Sequence, residues 1–254
     1  MNQGIEVETE LGDFPFVPVD VLKQVPLLRR VDTKFVCSGA QLSQLLAMLR
    51  CDYSVVSEAQ RATTGYRTLY FDTEQLRCFH DHRRGRRSRY KIRIRRYPER
   101  GRAFFEVKEK TNRGETRKVR IERPLDGDNA FSPEEARLVQ DTTPFAPQEL
   151  SPHLSTAFRR FTLVDSERQE RVTVDYGLEF LKDSERRMLP NLVVVEVKQT
   201  HYNRFTSVMR ALRASGVRPM RISKYCTGNA LYSVERSDGY YRDKLNHMQR
   251  VIHG

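Results

Sequence analysis

The stretch Arg87-Ser-Arg-Tyr-Lys-Ile-Arg-Ile-Arg95 decides how this chain is read. Arg87, Arg89, Lys91, Arg93 and Arg95 share one parity; Tyr90, Ile92 and Ile94 share the other. Side chains alternate faces along a β-strand, so this segment has one apolar face and one row of fixed positive charge. The next apolar run repeats the pattern, with Phe104, Glu106, Lys108 and Lys110 on one face and Phe105 and Val107 on the other. A third run, residues 192–198, sets Glu196 and Lys198 on one face of an otherwise apolar strand. Cations aligned on several strands of one sheet repel each other, which calls for a strongly anionic ligand among them.

The bulk composition agrees. A chain of 254 residues can form one large or two small domains with a sizeable core. Its net charge of +12 points to a polyanion, whether nucleic acid, anionic lipid or polyphosphate, without choosing among them. No apolar run approaches a membrane span, because Glu196 interrupts the longest candidate. The polar, acidic start does not read as a secretory signal. Cys37, Cys51, Cys78 and Cys226 form no Cys-x-x-Cys pair, which argues against a disulfide framework or zinc site and for a reduced, cytoplasmic setting.

Along the chain, residues 1–20 read as an irregular arm, although Glu6, Glu8 and Glu10 alternate as in a short strand. A strand is expected at 29–36. Ser38 then caps a helix with Leu42, Leu45, Leu46 and Leu49 at helical spacing. Strands follow at 53–57 and 65–72, a short strand or turn at 75–82, and a basic loop at 83–86. After the strands at 88–97 and 103–110, Asn112-Arg-Gly114 turns the chain into a strand at 116–122. Ser132-Pro-Glu-Glu135 is a capping box opening a helix to about residue 140. Further strands are expected at 156–164, 171–176 and 191–198. A helix follows at 202–214 with Phe205, Val208, Met209 and Leu212 on one face and Gly216 as its stop. Residues 221–254 are mixed and polar. Strands outnumber helices and most connections are short, so the expected class is antiparallel α+β.

A sheet that is apolar on one face and basic on the other has three outcomes. The basic face is solvated, lies on nucleic acid, or faces inward in a closed barrel. A solvated face interleaves Glu with Lys, whereas Lys91, Arg93 and Arg95 have no acidic partner on their own strand. A nucleic-acid face needs stacking aromatics among the cations, and Tyr90, Phe105 and Tyr97 mostly fall on the other parity, so no nucleic-acid partner is expected.

At this point the residues resemble a family. Arg30-x-Asp-x-Lys34, Tyr70-Phe-Asp-Thr73, Lys91-x-Arg-x-Arg95-x-Tyr97, Phe105-Glu-Val-Lys108, Phe158-x-Arg160, Arg171-Val-Thr-Val-Asp175, Glu196-Val-Lys198 and Ser223-Lys-Tyr225 occur in that order. The ordered series resembles the catalytic VTC domain of polyphosphate polymerases, in the CYTH or triphosphate tunnel metalloenzyme superfamily. The resemblance implies an antiparallel β-barrel, the triphosphate tunnel fold, with helices packed outside. It implies transfer of the ATP terminal phosphoryl group to a growing polyphosphate chain with Mn²⁺ or Mg²⁺. Hydrolysis of triphosphate, or polyphosphate and nucleotide binding without turnover, are the alternatives on the same fold.

Carried over by motif, the phosphate-binding residues are Lys34, Lys91, Arg93, Arg95, Lys108, Arg160, Arg171, Lys198 and Lys224. The metal carboxylate is Glu196, with Glu106 the weaker candidate. The corresponding boundaries are an arm at 1–20, the tunnel domain at 21–235 and a C-terminal tail at 236–254. The partners implied are ATP, inorganic polyphosphate and a separate membrane protein at the inner face of the membrane. The expected variants are Arg93→Ala and Arg95→Ala, each abolishing nucleotide binding with little loss of fold.

Other features are read more plainly. His80-Asp-His82 has two histidines of one parity beside a very basic loop, which disfavours a metal cation. Arg83-Arg84-Gly-Arg86-Arg87 is read as a rim that attracts an anionic chain. Asp72 and Asp175 are read as caps or turns at strand ends. Tyr240-Tyr241 marks either a partner contact or a docked tail.

Overall fold

The computed structural model describes residues 7–25, 30–233 and 239–253. Arg29, Glu6 and the first residues of the C-terminal segment lie outside the described residues. The strands β2 (Val31–Ser38), β4 (Thr63–Asp72), β5 (Arg89–Tyr97), β6 (Arg102–Lys110), β7 (Thr116–Arg123), β8 (Ser151–Asp165), β9 (Glu170–Lys182) and β11 (Leu192–Gln199) form the path of one sheet. Its order is β2-β11-β9-β8-β4-β5-β6-β7. Every pair on that path is antiparallel. Off the path, β10 (Glu185–Leu189) pairs with β9, β3 (Ser54–Ser57) pairs with β8, and β1 (Phe16–Pro18) joins β3 in parallel.

The expected closed barrel is not what forms. Among the described residues the sheet is open, with β2 at one end and β7 at the other and no pairing between them. The reason lies at the edge of β2. The backbone N–H of Met220 donates to the carbonyl of Lys34 at 2.7 Å, and Phe35 bridges to Pro219. Residues 219–220 thus occupy the edge that β7 would need.

The alternation reading holds on β5. Ile92 and Ile94 are fully buried in an apolar cluster with Phe105 and Val107. Helix α5 (Pro133–Thr142) covers that cluster through Val139. In contrast, α7 (Lys224–Tyr232) lies on the opposite face, where Tyr225 stacks on Tyr70, the cross-strand partner of Arg93, and α4 (Arg77–Arg83) packs Phe79 against Tyr225. A second cluster lies under α3 (Gly39–Leu49) and α6 (Ser207–Ala214). Ser38 and Ser132 close capping boxes on α3 and α5 as their sequences require. Asp72 caps the start of α4, its carboxylate accepting from the backbone N–H of Thr73, Cys78 and Phe79.

Several segments differ from the sequence reading. Residues 77–83, expected as a strand or turn, are helical. Phe205, expected on the buried helix face, precedes α6 and is 60% exposed. Residues 7–18, read as an irregular arm, hold the helix α1 (Val7–Leu11) and β1, and Val7 and Leu11 are buried against the α3 cluster. Near the C-terminus, α8 (Gly239–His253) buries Met248 beside Val36 and Val194.

A bulge in β9 decides what the concave face presents. Above it, Arg171, Thr173 and Asp175 share that face with Glu196 and Arg160. Gly177, at φ +61°, sits where the β8–β9 register shifts, and the extra residue reverses the alternation. Leu178 and Phe180 then join Phe158, Val36 and Val194 as an apolar floor. Helix α7 lies on this floor through Gly228. A Cβ there would stand 2.5 Å from Leu154 Cδ2 and 2.7 Å from Phe180 Cδ1. We expect Gly228→Ala to lower the unfolding free energy by about 1–3 kcal/mol in a denaturant titration. An unchanged midpoint contradicts this seating of α7.

Candidate triphosphate site

Cross-strand register, not sequence proximity, assembles the site. Lys91 of β5 stands opposite Lys108 of β6, which stands opposite Lys118 of β7. Three lysines therefore occupy one rung, and like charges placed directly opposite each other are destabilising. Lys118 escapes by pairing with Glu106. Among the described residues, Lys91 and Lys108 have no carboxylate in ion-pair contact. Burial first, then the neighbouring cations, drive the Lys91 ammonium from 10.5 down to about 7 and Lys108 down to about 8. Both line a cavity of about 750 Å³, together with Lys34 and Glu196 from the other end of the sheet. Of the expected rim segment 83–87, Arg83 and Gly85 line the same cavity, as does Arg89 of β5.

The remaining predicted residues, Arg171 apart, form three clamps around buried carboxylates. Glu106 is fully buried. It receives Arg93 Nε at 2.8 Å and Nη2 at 2.7 Å, pairs with Lys118, and has Arg95 Nη1 at 3.9 Å. Burial alone would raise its pKa, but Arg93, Arg95 and Lys118 outweigh it and hold the group at about 2. Asp175 accepts from Arg160 through Nε and Nη2 and also pairs with Lys224. Its carboxyl is held well below the usual range against the opposing effect of burial. Glu196 pairs with Lys198 and has Lys34 Nζ at 3.6 Å, which depresses its pKa in the same way.

Arg95 and Arg160 share an aromatic support, with their guanidinium carbons 5.5 and 5.0 Å from the Tyr66 ring centroid. Arg171 is turned elsewhere: its Nη2 donates to the carbonyls of Leu22 at 3.2 Å and Val25 at 2.6 Å.

Of the two carried-over carboxylates, Glu196 lines the cavity, whereas Glu106 lies beneath it under three cations. Among the described residues no group of three His, Cys, Asp or Glu side chains could hold a metal ion by itself. A single carboxylate fits a hard divalent ion that keeps waters and phosphate oxygens as its other ligands. His82 also faces the cavity, but its Nε2 bonds the Tyr90 carbonyl at 3.0 Å. Burial, with Lys91 and Arg89, pushes its pKa down to about 2, so it is a neutral spacer.

Sequence reasoning missed Lys118, Tyr66 and the function of Asp175. Asp175 was read as a strand-end cap; it anchors two predicted phosphate ligands. Its place on the parity of Arg171 and Thr173 was the available signal.

This fold, with its cation-lined cavity, defines a member of the CYTH or triphosphate tunnel metalloenzyme superfamily. Within it the chain belongs to the VTC domain family, whose model matches residues 29–233. A protein from Hippeastrum, described as a candidate adenylyl cyclase with a dominant triphosphatase activity, shares the fold with a TM-score of 0.50 and 14% identity. The match covers 82% of this chain and 98% of that one. A candidate adenylate cyclase from Bacillus halodurans gives a TM-score of 0.47 at 13% identity, over 76% of this chain and 93% of that one. No curated protein matches the chain. Among the described residues no helix is long and apolar enough to cross a membrane.

The clamps and the open rung respond differently to mutation. Arg93→Ala removes the main partner of a buried carboxylate, so we expect a loss of about 3–5 kcal/mol of stability in chemical denaturation, correcting the sequence expectation of little structural effect. Lys91→Met removes a repelled ammonium, so it raises the melting temperature. The sign follows from the depressed pKa. The gain is full below pH 7, where both folded and unfolded lysines are charged, and fades as pH rises toward 10.5. Melting curves across pH check this; a lower melting temperature for Lys91→Met at pH 7 contradicts it.

Proposed function

We propose that the cavity binds the triphosphate of ATP or the end of a polyphosphate chain with Mn²⁺ or Mg²⁺, and that the protein transfers the terminal phosphoryl group. One observation carries the reading. Lys91 and Lys108 face a single cavity with Lys34, and burial together with the neighbouring cations depresses their pKa values. Such a cluster suits an anion carrying several charges. Phosphoryl transfer needs positioning and charge neutralisation more than covalent chemistry. Lys34, Lys91 and Lys108 act as point charges on phosphate oxygens. Arg95 and Arg160, supported by Tyr66, add fixed guanidinium charge beside them. Glu196 is the carboxylate that would hold the divalent ion, which neutralises phosphate charge when bound.

Two acceptors fit this site. A phosphate chain as acceptor makes the protein a polyphosphate polymerase. Membership of the VTC family supports it, and so does the state of the carboxylates: Glu106, Asp175 and Glu196 are held ionised by cations and are weak bases. An anionic phosphate acceptor needs no base. Water as acceptor makes it a triphosphatase, a reading supported by the fold shared with the Hippeastrum protein. We read the setting as cytoplasmic, supported by four free cysteines, with export of any product left to a separate membrane protein.

Incubation with ATP and Mn²⁺ or Mg²⁺ separates these readings. Long-chain polyphosphate identifies the polymerase, and orthophosphate alone identifies the triphosphatase. Tight ATP binding with neither product sinks both and leaves a binding module. Independently, calorimetry at about pH 8 in buffers of different ionisation enthalpy should show proton uptake on tripolyphosphate binding. The ligand restores the depressed lysine pKa values, and a lysine whose pKa rises takes up protons.

A further inference from the structure

The VTC family model ends at residue 233, yet the wall of the cavity does not. Tyr241 and Lys244, both on α8, line it beside Lys34, Lys91 and Lys108. Lys244 Nζ donates to the carbonyl of Arg221 at 2.8 Å and lies 5.4 Å from the Tyr241 ring centroid. The helix that carries them is seated independently of any ligand. Leu245, Met248 and Ile252 enter the apolar cluster of Val36, Leu192 and Val194, and Asn191 Nδ2 donates to the Ile252 carbonyl at 2.8 Å. Tyr241 packs on Phe79 of α4 at 6.1 Å between centroids. Helix α8 therefore crosses from the β2–β11 end of the sheet to α4, which lies against β5. That is the side on which the sheet fails to close.

From this geometry we infer that α8 is a wall of the anion site and that Lys244 is a phosphate-contacting residue supplied from outside the VTC domain proper. The inference rests on the triphosphate reading of the cavity. Lys244 lines the cavity beside Lys34, Lys91 and Lys108, so a phosphate oxygen at the mouth meets a further cation there. The bond to Arg221 also fixes residues 219–223, the connection that lines the same cavity between α6 and α7.

The test measures tripolyphosphate affinity of the full-length protein at several salt concentrations. Lys244→Gln should weaken binding about tenfold or more and Lys244→Glu further, while Lys244→Arg restores most of the affinity. A direct contact also lowers the slope of log affinity against log salt, which loss of a purely structural bond to Arg221 would leave unchanged. Arg250→Ala, on α8 beside a separate groove against α3, should bind as the unmodified protein does. If the unmodified chain binds and Lys244→Glu binds equally well, or if the salt slope of Lys244→Gln is unaltered, the role of Lys244 is overturned while the cavity reading stands. If the unmodified chain does not bind tripolyphosphate, the cavity reading fails and this inference goes with it.

Discussion

The structure depends on an excess of positive charge turned toward the concave side of one sheet. Three carboxylates, Glu106, Asp175 and Glu196, each hold two or more cations, and their supply is smaller than the cations that share their face. Arg93 and Lys118 share Glu106, whereas Lys91 and Lys108 meet each other across the ladder. Repulsion of that kind persists in a folded protein only when packing elsewhere is secure. Here the reverse faces of the same strands are sealed by the Ile92–Phe105 cluster under α5.

This division separates groups that shape the site from groups that act in it. A cation locked to a buried carboxylate has little charge left to offer and serves as scaffold; Arg93 is the strongest case. A cation with a depressed pKa and access to the cavity holds its charge at a cost that a bound anion relieves. Lys91 and Lys108 are of that second kind. Arg160 and Lys224 stand between, since they share Asp175 and outnumber it. Arg171, matched by motif with the phosphate ligands, instead holds the carbonyls that precede β2.

Much of this was legible in the residues. Period-two alternation on β5, β6 and β11 placed Lys91, Lys108 and Glu196 on the cavity face and Ile92 and Ile94 in the core, because a strand has only two faces. The capping boxes at Ser38 and Ser132 located two helices for equally local reasons. Errors fell where the deciding contact is distant. Residues 77–83 become helical because Asp72 caps them and Tyr225, far along the chain, completes its hydrogen bonding. Closure of the sheet was expected from a family likeness. It is prevented by residues 219–220 on the edge of β2, which no periodicity announces.

What the sequence determined by itself was therefore the charge and polarity of each face, since alternation along a strand is local geometry. Only the tertiary structure decided which of those charges meet. The Lys91–Lys108–Lys118 rung, the Arg160–Asp175–Lys224 clamp and the reversal of parity at Gly177 arise from register between strands far apart in sequence. The place of α8 in the cavity wall follows from the burial of Met248 against β2 and β11, a packing choice made across the whole length of the chain. Pairing energies depend on distances of a few ångströms, and those distances exist only after the sheet has chosen its order.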